Sequence, residues 1–227
     1  MASQVDAILL DVGGVLLHPD DDVLREAVMS TAGVDLVPSA ATTAIAATVW
    51  HGAASPRPEA FWASRQPIEC WATLLGLPTD LGVQAWLSLN LSAGTINPLW
   101  RVVAQGARDT LAALKAKGFR LAAVSNNDGR LRASLEAAGI AAYFDEVVDS
   151  AIEGVAKPDP LIFALAAKRL GTELARCVMI GDDPYFDVRA AMAAGVRKAI
   201  LIDPYCMRPL TWSTEACSVL ARLPAVV

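Results

Sequence analysis

The strongest constraint on the fold is a repeated alternation of short apolar segments with helical patterns that end at glycine. The apolar segments have the length and composition of buried parallel strands, whose two faces are both covered. The segments are residues 5–11, 119–125, 176–182 and 198–203, and the helix-ending glycines are Gly118, Gly139, Gly171 and Gly195. This pattern predicts βαβ units, and therefore an α/β protein with a Rossmann-like, doubly wound parallel sheet.

Residues 18–95 interrupt this alternation, because they contain helical patterns only. Polar or proline-containing joints mark the two ends of this segment, "HPDDD" at residues 18–22 and "SAGTINP" at residues 92–98. We therefore predict an inserted, all-helical cap domain at residues 18–95 and a core domain formed by residues 1–17 and 96–227. The tryptophans of the cap are interpreted as its core, in preference to a role in substrate stacking. They are Trp50, Trp62, Trp71 and Trp86.

Composition excludes several classes of function. A net charge of −5 and a pI near 5.0 give no broad basic surface, so neither nucleic acid nor a membrane is an expected partner. The longest uncharged stretch, residues 36–56, carries His51 and is bounded by prolines, which makes a membrane span improbable. The N-terminus lacks a basic region, so we expect no secretory signal and a cytoplasmic location. Widely spaced cysteines form neither a zinc motif nor a disulfide framework. They are Cys70, Cys177, Cys206 and Cys217.

Polar side chains stand where three of the predicted strands end. These are Asp11, Ser125 and Asp182, and in parallel sheets ligands bind beyond the carboxyl ends of the strands. We expect the three to converge on one crevice. With Asp183 and Asp187 nearby, several carboxylates would be crowded together, and they cannot all stay ionised without a counter-charge. A divalent cation supplies it, and Mg²⁺ suits ligands that are hard oxygens.

Four motifs in this order resemble those of the haloacid dehalogenase superfamily of hydrolases. They are "LLDVGGVL", "AVSNN", "VAKPDPLIF" and "MIGDDPYFDVRAAMAAG". The resemblance covers roughly residues 5–17 and 100–203, with the cap unmatched in detail. Within the superfamily, the chain resembles subfamily I, the branch in which a helical, C1-type cap is inserted after the first strand.

The resemblance implies a role for each motif residue. Asp11 would be the nucleophile, forming an aspartyl phosphate that water then hydrolyses. Ser125 would donate a hydrogen bond to a phosphoryl oxygen, with Asn126 beside it in the substrate site. Lys157 would neutralise developing charge and hold Asp11 in place. Backbone N–H groups of residues 12–15, those of Val12 and Gly13 among them, would complete an anion cradle.

The resemblance also implies a metal site. Its ligands would be Asp11, Asp182 and the backbone carbonyl of Gly13, with Mg²⁺ as the bound ion. Asp187 is expected among the catalytic residues, orienting Lys157 or the surroundings of the metal.

Simpler explanations exist for several of these residues. Ser125 and Asn126 could cap the following helix. Asp183, which precedes Pro184, is better explained as a helix N-cap than as a metal ligand. Lys157 could be a solvated loop lysine, although its position before "PDP" matches the family motif. The convergence of the four motifs, more than any single residue, supports the functional interpretation.

One position departs from the family pattern. Phosphatases of the family carry a second aspartate two residues after the nucleophile, which protonates the leaving group and then activates water. Here that residue is Gly13, which keeps the backbone carbonyl and lacks the acid, a loss that typically costs about 10² to 10⁴ in rate. His18 is a candidate replacement acid, and a hinge histidine without catalytic function is the simpler interpretation.

Three hypotheses follow from this departure. In the first, the protein is a phosphatase that is slow, that acts on leaving groups needing no proton, or that takes its acid from the cap or from solvent. In the second it is a haloacid dehalogenase. In the third it is a binding protein that has lost catalysis. Charge favours the first, because a retained "GDD" at 181–183 would repel a haloacid carboxylate, and the dehalogenases of the family work without metal. We predict a Mg²⁺-dependent phosphatase for a small phosphorylated molecule. The sequence leaves the substrate open, and also whether the chain forms a homodimer.

Overall fold

The computed structural model describes residues 5–89, 91, 93–203 and the backbone of 216–217. The described residues form two compact units, with chain crossings after residues 17 and 102. The strands are β1 (Ala7–Leu10), β2 (Leu17–Pro19), β3 (Trp100–Val103), β4 (Arg120–Ser125), β5 (Glu146–Asp149), β6 (Cys177–Gly181), β7 (Lys198–Ile202) and β8 (Ala216–Cys217). The α-helices are α1 (Asp21–Ala32), α2 (Ala40–Ala53), α3 (Pro58–Trp62), α4 (Gln66–Leu74), α5 (Thr79–Ser88), α6 (Ala107–Ala116), α7 (Leu131–Ala137), α8 (Ser150–Glu153), α9 (Pro160–Arg169) and α10 (Ala190–Ala194).

The first unit is built on a parallel sheet with the strand order β5-β4-β1-β6-β7-β8. Strand β1 lies inside it, with Leu10 opposite both Ala123 and Ile180. Alternate residues of β1 enter different apolar clusters, Ile8 and Leu10 on one face and Ala7 and Leu9 on the other. Burial on both faces is what requires an uninterrupted apolar strand. The predicted α/β class with a parallel sheet is confirmed.

The predicted strands of this unit are each observed within about two residues of the expected ends. The four predicted helices are α6, α7, α9 and a C-terminal helix that begins as a π-helical stretch, Pro184–Arg189, and continues as α10. Each is followed within two residues by its predicted glycine, and all four glycines have positive φ. Strand β5, with the sequence "EVVD", is not predicted, because only two apolar residues stand between its charged ends.

The second unit contains α1 to α5 and packs around Trp71. The indole N–H of Trp71 donates to the carbonyl of Ala41 over 3.1 Å, and its ring meets that of Trp86 edge-on at 5.4 Å. These two tryptophans belong to the core of the unit, as predicted, whereas Trp62 is exposed.

The pattern "PEAFWASRQPIECWATLLG" does not form one continuous helix. It divides into α3 and α4, and Pro67 lies in the first turn of α4. A proline further inside a helix would lack an N–H donor and clash with the preceding turn, so the chain restarts instead. The chain segments before α1 and after α5 also pair. They form a two-stranded sheet of β2 and β3, which the sequence does not predict. The assignment of residues 18–95 as a cap stays a prediction.

Two composition-based expectations bear on the described residues. None of the described helices has both the length and the apolar character needed to cross a membrane. Cys70 and Cys177 are free thiols. Cys206 and the side chain of Cys217 lie outside the described part of the chain.

Candidate active site

Polar residues stand at the carboxyl ends of five neighbouring strands of the sheet. Asp149 and Ser125 are the last residues of β5 and β4, whereas Asp11, Asp182 and Asp203 directly follow β1, β6 and β7. All except Asp182, which is half-buried, are buried. Asp149 and Asp203 are missing from the sequence-based site. The signal for Asp203 is its place at the end of the predicted strand 198–203, as for Asp11 and Asp182. The signal for Asp149 is the aspartate that ends "EVVD", and it is usable only once β5 is recognised as a strand.

Lys157 lies between two carboxylates of this edge. Its Nζ donates to Oδ1 of Asp11 over 2.8 Å and to Oδ1 of Asp187 over 2.5 Å. The three residues are 5%, 7% and 0% exposed for Lys157, Asp11 and Asp187. Burial by itself would lower the pKa of Lys157, but the two carboxylates outweigh it and raise that pKa above its ordinary value. Lys157 is therefore a buried ammonium group in the site and not a solvated loop lysine.

Asp182 lies against the turn that follows β1. A Cβ atom built on Gly14 would stand 2.0 Å from Oδ2 of Asp182, and Gly14 has a φ of +72°. Only glycine meets both conditions without strain, because it has no Cβ and tolerates the left-handed region. The second glycine of "DVGGV" thus lets the turn approach a carboxylate that the sheet brings from β6.

Three carboxylates form one cluster, with an oxygen of each of Asp11, Asp182 and Asp187 within 4.8 Å of the others. Burial, together with the charges of Asp11 and Asp187, raises the pKa of Asp182 well above its usual range. Burial likewise raises the pKa of Asp187 to about 7, with Lys157 opposing the shift. No hydrogen-bond donor of the described residues is recorded at the Asp182 carboxylate. These hard oxygens, short of positive charge, fit a divalent cation such as Mg²⁺.

Both oxygens of Asp187 are already engaged. Oδ1 accepts from Lys157, and Oδ2 accepts from the backbone N–H of Asp183 over 3.0 Å. Gly181 permits this position, because a Cβ there would stand 2.3 Å from the Cβ of Asp187. The geometry suits a residue that orients Lys157 more than one that offers a free oxygen to a metal.

The carboxylate of Asp183 has a structural role. Its Oδ1 accepts from the N–H groups of Tyr185 and Phe186 at 2.7 and 2.9 Å, which makes it the N-cap of the π-helical stretch that begins at Pro184. The interpretation of Asp183 as an N-cap is confirmed.

The turn after Asp11 uses part of the predicted anion cradle for itself. Gly14 N–H donates to the carbonyl of Leu17 at 2.9 Å, and Val15 N–H donates to that of Val12 at 3.4 Å. The hydrogen bonds of the turn leave out the N–H groups of Val12 and Gly13 and the carbonyl of Gly13. The cradle is accordingly smaller than residues 12–15, and the Gly13 carbonyl is compatible with the implied ligand role.

Neither Ser125 nor Asn126 caps a helix. Helix α7 begins at Leu131 with Arg130 in the N-cap position, so that explanation is wrong. Ser125 is buried at the tip of β4. Asn126 binds the backbone of Lys157: its Oδ1 accepts from Lys157 N–H and its Nδ2 donates to Lys157 carbonyl, both over 2.8 Å.

His18 does not have the properties of a strong replacement acid. Burial lowers the pKa of His18, so a smaller share of its imidazole is protonated near pH 7 than in an exposed histidine, which disfavours it as the acid.

Comparison with known proteins gives a consistent family. The family model of the haloacid dehalogenase-like hydrolases matches residues 5–195. The chain is 34% identical over 111 residues to haloacid dehalogenase-like hydrolase domain-containing protein 3 of Homo sapiens, which is 49% of this chain and 44% of that one. It is 39% identical over 94 residues to phosphoserine phosphatase of Thermus thermophilus, 41% of this chain and 37% of that one. It is 35% identical over 133 residues to phosphoglycolate phosphatase of Rhodospirillum rubrum, which is 58% of this chain and 55% of that one. The matched segments span about half the length of these relatives.

Solved structures share the fold over nearly the whole chain. The HAD-hydrolase YfnB from Bacillus subtilis, bound to magnesium, superposes with a TM-score of 0.68 at 17% identity and covers 98% of both chains. The L-2-haloacid dehalogenase from Xanthobacter autotrophicus superposes with a TM-score of 0.61 at 20% identity, also over 98% of both chains. At such identities the likeness concerns the fold alone.

Proposed function

The chain belongs to the haloacid dehalogenase-like hydrolases, and from that premise we propose that it is a Mg²⁺-dependent phosphatase of a small phosphorylated molecule. The observation that carries the proposal is the pairing of Asp11 with the buried Lys157, beside a second carboxylate, Asp182, that forms no ion pair with any residue the structure describes. A nucleophile, a fixed positive charge and a divalent-cation site are what phosphoryl transfer to a carboxylate requires.

In the proposed mechanism, Asp11 attacks phosphorus through the oxygen that Lys157 does not hold. The new O–P bond forms as the bond to the leaving group breaks, giving an aspartyl phosphate, and water then hydrolyses it to regenerate the carboxylate and release phosphate. Lys157 stays protonated throughout and balances charge on the phosphoryl oxygens. Asp187 keeps the ammonium group at this position, and the Ser125 hydroxyl donates a hydrogen bond to a phosphoryl oxygen.

Asp11, Asp182 and the carbonyl of Gly13 would hold the Mg²⁺ ion. When bound, the ion supplies positive charge that keeps the carboxylates ionised and balances the phosphoryl group. The raised pKa of Asp182, caused by burial and by its neighbouring carboxylates, is the feature of this chain that such an ion would relieve.

The lack of an acid at Gly13 favours substrates with good leaving groups. A leaving group with a low pKa departs without a proton, so acyl phosphates and activated esters suit this site better than alkyl phosphates. The phosphoserine and phosphoglycolate phosphatases among the relatives support a small phosphorylated substrate. We include in the proposal that residues 18–95 act as a cap that selects the substrate.

A haloacid dehalogenase is the second candidate, and Gly13 is the observation that favours it. Halide departs without a proton, and dehalogenases of the family also lack the second aspartate. The carboxylate of Asp182 argues against it, because it would repel a haloacid anion in a site that already holds Asp11 and Asp187. A binding protein without turnover is the third.

The three candidates separate in one set of assays on the purified protein. A Mg²⁺-dependent phosphatase hydrolyses p-nitrophenyl phosphate, loses the activity in EDTA, regains it with MgCl₂ and loses it in Asp11→Asn. Release of halide from 2-chloropropionate that survives EDTA would indicate the dehalogenase instead. Retained binding of inorganic phosphate with neither reaction would indicate a binding protein, and either of the last two results would overturn the proposal.

A further inference from the structure

The loop after β4 is fastened to the segment that carries Lys157. The amide of Asn126 makes two hydrogen bonds of 2.8 Å to the backbone of Lys157, one to its N–H and one to its carbonyl. A planar amide that binds both polar atoms of one residue fixes the direction in which that residue's side chain leaves the backbone. The side chain in question reaches Asp11 and Asp187.

Two further side chains join the same segments. Ser150 Oγ accepts from the N–H of Asn127 at 3.0 Å and donates to its carbonyl at 3.1 Å. The buried carboxylate of Asp149 accepts from the N–H groups of Gly129 and Leu131, at 3.1 and 3.0 Å. The loop that carries Asn126 is therefore held along its length by the last residue of β5 and the first residue of α8.

We propose that Asn126 is a positioning residue that sets the ammonium group of Lys157 against Asp11, and that it is not a substrate ligand. Lysine has a long and flexible stem, so its head is placed accurately only if its backbone is fixed and its charge is paired. Asn126 supplies the first condition and Asp11 with Asp187 the second. The inference rests on the proposed function for its catalytic consequence, while its structural part does not depend on turnover.

The structural part is tested by chemical labelling of lysines. Each protein is treated with a limiting amount of N-acetoxysuccinimide, and acetylation is measured peptide by peptide by mass spectrometry. In Asn126→Ala we expect acetylation of the buried Lys157 to rise several-fold, with exposed Lys168 unchanged. The matched control is Asn127→Ala, because the recorded hydrogen bonds of Asn127 go through its backbone and survive the substitution. Modification of the buried thiol of Cys177 reports any general unfolding.

The catalytic part is tested with p-nitrophenyl phosphate. A positioning role predicts that Asn126→Ala lowers kcat by about 10- to 100-fold, with little change in KM or in competitive inhibition by inorganic phosphate. It also predicts that the substitution has no further effect on kcat in a Lys157→Ala background, since the group it positions is gone. A substrate ligand would instead raise KM and the inhibition constant for phosphate, and would act independently of Lys157.

The outcomes are distinguishable from failure of the proposed function. If the unsubstituted protein has no phosphatase activity, the proposed function fails while the labelling result still decides the contact between Asn126 and Lys157. If Lys157 is acetylated equally in the Asn126→Ala, Asn127→Ala and unsubstituted proteins, the positioning role is wrong whatever the activity.

Discussion

The ammonium nitrogen of Lys157 lies 2.8 Å from Oδ1 of Asp11, although 146 positions separate the two residues in the chain. The contact joins the tip of a central strand to the loop between α8 and α9, and it places a permanent positive charge beside the candidate nucleophile. Replacing one member of such a buried ion pair strongly destabilises the folded protein, because the remaining charge is left buried without a partner.

Lys157→Met is expected to destabilise the metal-free protein by about 3–5 kcal/mol, because Asp11 and Asp187 would then be buried without their shared cation. Urea unfolding in EDTA measures the loss. Lys168→Met is the control, since that lysine is exposed. A loss no larger in Lys157→Met than in Lys168→Met would contradict the assigned ion pairs. In MgCl₂, turnover of p-nitrophenyl phosphate by the Lys157 variant is expected to fall at least about 10²-fold.

The metal-free protein is expected to lose stability as pH rises from about 4 to about 7. The pKa values of Asp182 and Asp187 are raised in the folded state, Asp187 to about 7, against 3.8 for an unperturbed aspartate. Between these limits the folded state holds protons that the unfolded state has released, so raising the pH favours unfolding. Thermal unfolding in EDTA at pH 5 and pH 7.5 measures the difference.

Asp182→Asn is expected to reduce that pH dependence and to raise the melting temperature at pH 7.5 by a few degrees, because it removes one of the crowded charges. Asp109→Asn, at an exposed position of α6, is the matched control. MgCl₂ is expected to stabilise the unsubstituted protein more at pH 7.5 than at pH 5, and to lose this effect in Asp182→Asn. Equal Mg²⁺ stabilisation of both proteins would exclude Asp182 as a ligand.

Gly14→Ala is expected to cost more stability than Gly118→Ala and also to weaken Mg²⁺ binding. Both glycines have positive φ, but a Cβ at Gly14 would stand 2.0 Å from Asp182 Oδ2, whereas one at Gly118 meets nothing within 4 Å. Gly118→Ala therefore measures the backbone cost alone, about 1–2 kcal/mol. Urea unfolding and titration calorimetry with MgCl₂ separate the two effects. Similar losses in both variants would show that the turn does not need to approach Asp182 closely.

Gly13→Asp is expected to raise turnover of alkyl phosphates more than that of p-nitrophenyl phosphate, because only the poor leaving group needs a proton. Gly13→Asn is the control for size and polarity without an acid. The comparison is the ratio of kcat/KM for the two substrates in each variant. An equal gain on both substrates, or the same gain in Gly13→Asn, would mean that the missing acid does not limit the reaction.

The fold class was predictable because its signals are local. A run of apolar residues such as 119–125 is enough to indicate a buried strand. A glycine after a helical pattern is enough to indicate where the helix ends, as it does for α6, α7, α9 and α10. Strand β5 escaped prediction because "EVVD" carries only two apolar residues. The single pattern predicted across residues 58–76 failed at Pro67, where the helix had to restart.

The candidate site was predictable in part for a similar reason. Asp11, Ser125 and Asp182 are recognisable from sequence because a polar residue that ends a buried parallel strand must lie at one edge of the sheet. The attachment of Asn126 to Lys157, and the contacts of Asp149 with the N–H groups of Gly129 and Leu131, have no such signal. They join loops whose separation in space is unrelated to their separation in sequence.

By itself, then, the sequence determined the α/β class, four of the five strands that meet at the site and the types of side chain they deliver, since periodicity and strand ends are local properties of the chain. Tertiary structure alone decided which charges meet: that Lys157 is shared by Asp11 and Asp187, that Asp182 has no cationic partner within the described part of the chain, and that Gly14 must be glycine. The physical reason is that electrostatic pairing and close approach depend on distances of a few ångströms between distant segments, which only packing of the whole sheet sets.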